Sequence, residues 1–116
     1  MKPDRTVFNC TIIDIFKINS ESGNITGEVR GGHAHYELEQ YIIAASGSFD
    51  VILDDGVNRK RVSLNRPNQA LHVVPGLWRE LDNFSSGSIC LVLASQTYSE
   101  EDYIRNYCEF KDLKKL

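Results

Sequence analysis

Two histidines separated by one residue, His33 and His35, are the residues of this chain best suited to chemistry. Side chains on a β-strand alternate between its two faces, so these two point the same way, roughly 7 Å apart along the strand. Imidazoles near their unperturbed pKa exchange protons readily at neutral pH. The spacing therefore predicts a pair of proton-transfer groups that address one small ligand.

The segment around the histidines has the order of a metal-binding motif with an incomplete ligand set. In chain order it reads Gly27, five residues, His33, Ala34, His35, Gln40 and Gly47. It resembles the motif of metal-binding cupins, where a glutamate occupies the place of Gln40 and a second motif supplies a further histidine. Here that second motif is 74–78, and Arg79 follows it as a permanent cation that repels a metal ion. Because zinc and similar metals need three or four donor groups, we expect no metal and no cofactor.

Strands must position these residues. A β-branched and aromatic run predicts a first strand over 7–18, and later apolar runs between turn residues predict strands over 41–45, 49–53, 59–64, 70–74, 78–84 and 88–94. This close spacing is typical of a sandwich or barrel and not of βαβ units. From Ser99, a possible cap, apolar residues from Tyr103 to Leu113 recur at helical spacing. The sequence predicts an all-β fold with a short C-terminal helix.

Length and charge argue against several classes of function. A chain of 116 residues is expected to form a single domain over 1–116 with one site. The net charge of −3, with scattered basic residues, argues against nucleic-acid binding. No apolar run is long enough to span a membrane, and the first residues lack a signal-peptide core, so we expect a cytoplasmic protein. The cysteines have no metal-type spacing, and Cys90 in an apolar run reads as a buried core residue.

Five segments in order resemble the sugar 3,4-ketoisomerases, small cupins similar to the C-terminal part of WxcM-type proteins. They are Arg30-Gly31-Gly32-His33-Ala34-His35, the hairpin over 46–56, Pro75-Gly76-Leu77-Trp78-Arg79-Glu80, the run over 91–95, and Glu101-Asp102-Tyr103-Ile104-Arg105. The resemblance covers roughly 27–110. It implies a jelly-roll homodimer that needs no metal and acts on dTDP-4-keto-6-deoxyglucose. It also implies a role in making deoxyamino sugars for surface polysaccharides.

The chain departs from this family at two places. Family members usually carry a longer N-terminal region with a basic Lys-Arg step on an early strand, whereas 11–15 here reads Thr-Ile-Ile-Asp-Ile. The residue after the second histidine is usually lysine, and here it is Tyr36, whose phenol can donate a hydrogen bond but is neutral at pH 7. The departures concern contacts to the substrate and not the fold.

The implied reaction assigns roles to six residues. Moving a ketone from C4 to C3 of a hexose requires removal of the C3 proton and return of a proton to C4 through an enediol or enediolate. We expect His35 to be the base and His33 its partner; the reverse order is the alternative, because the two can titrate as a coupled pair. The expected substrate-binding residues are Arg30, Tyr36, Gln40 and Arg79. One of the two arginines would stabilise the enediolate or bind the diphosphate.

Other interpretations compete with this one. Arg79 could form a structural ion pair with Glu80 or Asp82, and Gln40 could fill polar space around the histidines. A catalytically idle cupin that binds a sugar nucleotide is the alternative of a different class. A dTDP-sugar epimerase would begin with the same proton abstraction. A metal-dependent cupin would need a third ligand such as His72, Glu37 or Glu39.

Overall fold

The computed structural model describes residues 5–14 and 32–115. Within these ranges, nine strands precede one C-terminal helix. The strands are β1 Thr11–Asp14, β2 Ala34–His35, β3 Gln40–Ser46, β4 Phe49–Asp54, β5 Arg59–Leu64, β6 Gln69–Val73, β7 Trp78–Asp82, β8 Ile89–Ala94 and β9 Tyr103–Ile104. The helix, α1, spans Tyr107–Lys114. The prediction of an all-β fold closed by a short helix is confirmed.

The strands form two facing sheets and one short ladder, all antiparallel. One sheet has the order β1-β6-β3-β8, the other has the order β5-β4-β7, and β2 pairs with β9. Alternate residues of the larger sheet, such as Ile42 and Leu71, point between the sheets and meet Val51 and Leu53 of the smaller one. Full burial of an aliphatic side chain stabilises the fold by about 1.5–3 kcal/mol, so this shared apolar layer holds the two sheets together.

The turn between β3 and β4 depends on a glycine. Gly47 has a φ of +68°, a left-handed conformation that favours glycine. A Cβ at this position would also lie 2.9 Å from the Cα of Ser88. The predicted glycine turn between these two strands is therefore confirmed, and it fixes the register of the hairpin that carries Gln40 at its start.

The C-terminal segment does not begin as the sequence predicts. The predicted start of the helix after Ser99 is wrong. Glu100–Asp102 forms a 3-10 turn, and β9 follows it before the helix begins. Asn106 caps α1, and its side chain accepts a hydrogen bond from the Glu109 backbone N–H. Among the described residues, no helix is long and apolar enough to cross a bilayer.

The first predicted strand is also shorter than expected. Its initial part, Val7–Asn9, is a 3-10 turn, and β1 begins at Thr11. Residues 15–18 lie outside the described residues. Val7 is buried in the main core, which explains why its apolar side chain extends the strand-like pattern in the sequence.

Candidate active site

A cavity of about 260 Å³ lies between the two sheets. Its walls come from β3, β7, β8 and β9, and from the residues next to β2. Three residues singled out in the sequence line it: His33, Gln40 and Arg79. Its remaining inner wall is apolar, and exposed residues of the segment that follows β8 line its open end. We call the buried part the inner end and the exposed part the mouth.

Backbone pairing brings the two distant motifs together. His33 and Arg79 exchange two backbone hydrogen bonds, of 3.1 Å from the His33 N–H and 2.9 Å from the Arg79 N–H. Gly32 packs directly on the indole of Trp78, where a Cβ would lie 2.4 Å from Cζ2. The absence of a side chain at Gly32 therefore allows the backbone to approach the tryptophan ring closely.

The alternation of β2 separates its side chains into two groups. The imidazoles of His33 and His35 lie on one face with ring centroids 4.8 Å apart, so the two rings are in contact, as the alternation predicts. Ala34 and Tyr36 belong to a second apolar cluster with Trp78 and α1. Tyr36 is not among the residues that line the cavity, and its expected role in substrate binding stays a prediction.

His35 is held by a carboxylate that follows it by 67 positions in the chain. Its Nδ1 lies 3.1 Å from Oδ2 of Asp102, and because a carboxylate only accepts, Nδ1 carries the hydrogen. Two further donors, the backbone N–H groups of Glu37 and Leu38, fix that carboxylate at 2.9 and 3.2 Å. The tautomer leaves the lone pair on Nε2, which has no hydrogen-bond partner among the described residues.

The surroundings keep His35 neutral. The side chain is 0% exposed, and this burial, followed by the positive charge of Arg79, lowers its pKa to about 4, against the opposing effect of Asp102. At neutral pH the ring can therefore accept a proton at Nε2. His35 lies behind the rings of His33 and Tyr103, at centroid distances of 4.8 and 4.3 Å, and these two rings line the cavity.

Arg79 is a cation buried at the inner end. It is 0% exposed, and burial lowers its pKa to about 10, which still leaves it charged at neutral pH. One terminal nitrogen donates to Oε1 of Gln40 at 2.7 Å and the other donates to the carbonyl of Leu77 at 3.0 Å. Within the described part of the chain, its Nε has no hydrogen-bond partner. Burial of a charged guanidinium costs free energy. Arg79 must therefore either stabilise the fold through its hydrogen bonds or act on a ligand.

The ion-pair alternative for Arg79 is wrong. The carboxylate of Glu80 accepts a hydrogen bond from Trp78 at 3.1 Å, and that of Asp82 accepts one from Arg61 at 2.7 Å. Gln40 is buried, and its amide oxygen accepts the hydrogen bond from Arg79.

The remaining candidates lie elsewhere. Arg30 is outside the described residues. His72 is on the outer face of the larger sheet, where its Nε2 lies 2.9 Å from Glu39 and its ring stacks on Tyr41. Within 5–14 and 32–115, no group of three histidine, cysteine, aspartate or glutamate side chains could hold a metal ion. Cys90 is buried, as predicted, and forms part of the cavity wall.

The mouth carries a second set of polar residues, which we call the mouth cluster: Tyr98, Glu100 and Arg105. Arg105 donates to both carboxylate oxygens of Glu100, at 2.8 and 2.9 Å, and the hydroxyl of Tyr98 donates to the same carboxylate. The guanidinium of Arg105 also lies 4.3 Å from the ring centroid of Tyr103. Tyr98 and Tyr103 both line the cavity.

The sequence did not identify two of these site residues. Asp102 was not singled out, and the helical spacing predicted for Tyr103 is wrong, because this residue lies in β9 and its ring lines the cavity beside both histidines. The available signal was the clustering of acidic and aromatic residues over 98–105, which lacks the pure apolar period of a buried helix face.

Comparison with known proteins identifies the class of protein that this fold and site define. The chain belongs to the family described as FdtA: WxcM-like, C-terminal, whose model matches residues 22–115. It is 48% identical over 84 residues to a TDP-4-oxo-6-deoxy-alpha-D-glucose-3,4-oxoisomerase of Aneurinibacillus thermoaerophilus. That alignment covers 72% of this chain and 60% of the relative, so the chain spans less than two thirds of the relative's length.

Solved structures of related proteins share the fold. A 3,4-ketoisomerase from Helicobacter canadensis is 42% identical with a TM-score of 0.72, over 91% of this chain and 74% of that one. The WlaRB TDP-quinovose 3,4-ketoisomerase of Campylobacter jejuni is 44% identical with a TM-score of 0.69, over 89% and 73%. A mutant of the 3,4-ketoisomerase QdtA from Thermoanaerobacterium thermosaccharolyticum, solved in complex with TDP-4-keto-6-deoxyglucose, is 29% identical with a TM-score of 0.82, over 95% and 96%. The predicted family resemblance is confirmed.

Proposed function

We propose that this protein is a nucleotide-sugar 3,4-ketoisomerase that moves the ketone of a dTDP-4-keto-6-deoxyhexose from C4 to C3. The observation that carries the proposal is the inner end of the cavity, where two imidazoles in contact lie beside a buried arginine. The names of the relatives agree with this chemistry. The conversion is an internal redox exchange between neighbouring carbons, so only protons need to move and no external oxidant is consumed.

The reaction begins with removal of the C3 proton, which the neighbouring C4 ketone acidifies. The electrons of the C3–H bond form a C3–C4 double bond, and the negative charge moves to the oxygen on C4. That oxygen then takes a proton, the hydroxyl on C3 loses one, and C4 receives a proton. The product carries its ketone at C3 with the same atomic composition as the substrate. Each step needs a base that is unprotonated, or an acid that is protonated, at neutral pH.

Arg79 supports the intermediate in this scheme. It is charged and buried at the inner end, and it is already oriented by Gln40 and Leu77. A fixed cation in a site that excludes water stabilises an enediolate without reorganisation at the moment of reaction. Because the guanidinium is buried, we assign it to the sugar oxygens and not to the diphosphate. Gln40 can hydrogen-bond sugar hydroxyls through its amide nitrogen while its oxygen holds Arg79.

We assign His35 as the base and His33 as the group that returns or relays protons. Asp102 fixes the tautomer of His35 so that Nε2 accepts the proton, and the carboxylate stabilises the imidazolium that forms. Because His35 lies behind the ring of Tyr103, this role requires that ring to shift when the sugar binds. His33 needs no such shift, since it is on the cavity wall.

The wider assignment extends to assembly and context. The larger sheet exposes Ile12 and Ile13 on its edge strand β1, and Tyr41 and Leu93 on its outer face. A second copy of the chain could cover this surface, so we propose a homodimer. We further place the reaction in the cytoplasm, in the supply of deoxyamino sugars for surface polysaccharides. Sedimentation analysis of the purified protein tests the dimer.

The function is tested by incubating the protein with dTDP-4-keto-6-deoxyglucose in D2O and following the sugar by NMR. We expect a 3-keto product with deuterium at the carbons that exchange protons. Absence of both exchange and 3-keto product would contradict the proposal, and retained dTDP binding would then favour an idle binding protein. A product that remains a 4-keto sugar with inverted C3 or C5 would identify an epimerase.

A further inference from the structure

The accepting nitrogen of His35 is enclosed. The side chain is 0% exposed, and Nε2, which carries the lone pair, has no hydrogen-bond partner among the described residues. The ring is not part of the cavity wall, whereas those of His33 and Tyr103 are. A nitrogen that does not reach the cavity cannot take a proton from a molecule bound there. One of the neighbouring rings must therefore move before His35 can act.

Tyr103 is the nearer of the two rings that cover His35. The ladder between β2 and β9 places the two residues directly opposite each other, and their ring centroids are 4.3 Å apart. Such cross-strand neighbours on one face of a ladder pack on each other. Tyr103 is only half-buried and lines the cavity. Its ring therefore borders open space into which it can rotate.

The mouth cluster holds this ring from outside. The guanidinium of Arg105 lies 4.3 Å from the ring centroid of Tyr103, and the ring of Tyr98 lies 5.3 Å from it. Glu100 fixes both neighbours, because it accepts from Arg105 at 2.8 and 2.9 Å and from the Tyr98 hydroxyl. These side chains are exposed, and contacts between exposed charged and aromatic groups are weak. They can keep the ring in place and still release it.

We propose that Tyr103 is a gate over His35, and that Arg105 and Glu100 form the latch that keeps this gate closed. Opening rotates the phenol ring away from Nε2 and connects that nitrogen with the cavity. The closed gate keeps water from the imidazole, and a ligand that enters the cavity replaces the weak contacts that opening breaks. The gate concerns access to one imidazole; its importance for catalysis rests on the proposed function, in which His35 is the base.

The test measures how fast diethyl pyrocarbonate modifies each of the three histidines of the chain. This reagent acylates neutral imidazole. Burial lowers the pKa of His35 to about 4, so at pH 6 the ring is neutral and access alone limits its rate. If the open state has a population of about 0.1–10%, Tyr103→Ala should accelerate modification of His35 about 10- to 1000-fold. Tyr103→Phe keeps the ring and should remain slow. Tandem mass spectrometry distinguishes His35 from His33.

The latch is tested without changing the gate itself. Arg105→Gln should accelerate modification of His35 about two- to fivefold, because the attraction of the cation for the ring is lost. Arg66→Gln, the same change at another exposed arginine, should have no effect. Glu100→Gln should give a smaller acceleration, and Glu101→Gln, an identical change one residue away, should give none. The latch is wrong if Arg105→Gln and Glu100→Gln behave like these two controls.

Local opening must also be separated from unfolding. Modification of His35 through a local movement should not depend on low urea concentrations, and His72 on the outer face should react equally in all variants. A rate at His35 that rises from the first addition of urea would show that only unfolding exposes the ring, and would overturn the gate. The same conclusion follows if His33→Ala exposes His35 and Tyr103→Ala does not.

These results are distinguishable from a failure of the proposed function. If His35 reacts as expected and the protein does not isomerise the keto sugar, the gate stands and the ketoisomerase assignment fails. If the protein isomerises the sugar while His35 is as reactive in the wild type as in Tyr103→Ala, only the gate is wrong.

Discussion

At the inner end of the cavity the polar side chains are mostly buried and are fixed by hydrogen bonds to the backbone, whereas at the mouth they are exposed and bind one another. Arg79 donates to a main-chain carbonyl, and the carboxylate of Asp102 accepts from two main-chain N–H groups. At the mouth, the contacts of Glu100 with Arg105 join side chains only five residues apart. Both regions use the same kinds of groups.

The difference indicates that the inner end and the mouth have different roles. Groups that act in a transition state must already be in place, since reorganisation would add to the barrier. Groups that capture a charged ligand can exchange partners, because the ligand replaces the contacts that are lost. We therefore expect substitutions at the inner end to reduce turnover with little effect on affinity for thymidine diphosphate. Substitutions in the exposed mouth cluster should reduce turnover less.

The largest effect is expected for His35→Asn. General acid–base catalysis contributes about 10²–10⁴-fold, and loss of the base should lower kcat by about 10³-fold or more. Steady-state kinetics and deuterium exchange at C3 measure it, with His72→Asn on the outer face as the matched control. If His33→Asn abolished exchange at C3 while His35→Asn retained it, the roles of the two histidines would be reversed.

A somewhat smaller loss is expected for Arg79→Gln. Removal of one group that stabilises an oxyanion costs about 10²–10³-fold in kcat. The variant should also shift the acidic limb of the pH profile of kcat/KM. In the wild type this limb should lie near pH 4, because the pKa of His35 is lowered to about 4 and the base works only when neutral.

The direction of the shift follows from the charge. The positive charge of Arg79 is one cause of the low pKa of His35, so its removal should raise that pKa and move the limb to higher pH. Arg79→Lys keeps the charge and should leave the limb near its wild-type position. An acidic limb that stays in place in Arg79→Gln would show that Arg79 does not act on His35.

For Asp102→Asn we expect kcat to fall by about 10²-fold, at the lower end of the range for acid–base catalysis. An amide cannot accept on both sides, so either the contact to His35 or those to the loop at Glu37 and Leu38 must change. Loss of the contact to His35 allows the ring hydrogen to move from Nδ1 to Nε2. Nitrogen NMR shifts of the ring report this tautomer, and Asp112→Asn on α1 is the control.

The smallest change should be seen in Gly32→Ala, which probes the packing behind the inner end. Its Cβ would overlap the indole of Trp78, and overpacking of this kind costs about 1–3 kcal/mol. Urea denaturation measures the free energy of unfolding, with Ser86→Ala in an exposed turn as the control variant. Unchanged stability would mean that the indole moves easily and does not position the histidine strand.

Local patterns in the sequence were sufficient for the larger elements. Apolar runs bounded by turn residues predicted most strands, and Gly47 marked its turn because glycine adopts a positive φ without strain. The two histidines could be placed on one face because strand alternation is a property of the backbone itself. The contact between their rings follows from that rule.

The partners of these histidines could not be predicted in the same way. The contact of His35 with Asp102 is formed by β2 and β9, each only two residues long, and such short ladders have no periodicity to detect. Ser99 and Asp102 have the spacing of a helix cap, so the local signal favoured a helix. Tertiary pairing with β2 prevailed over it. The burial of Arg79 likewise depends on Gln40 from another strand.

The ladder between β2 and β9 also has a consequence for biosynthesis. A ribosome releases His35 long before Asp102 and Tyr103, which β9 and its preceding turn supply. Until that late segment emerges, the imidazole has neither its carboxylate nor its aromatic neighbour, and β2 has no strand to pair with. The site between the two sheets should therefore form only after the segment around β9 has left the ribosome, when the strands of both sheets have already been synthesised.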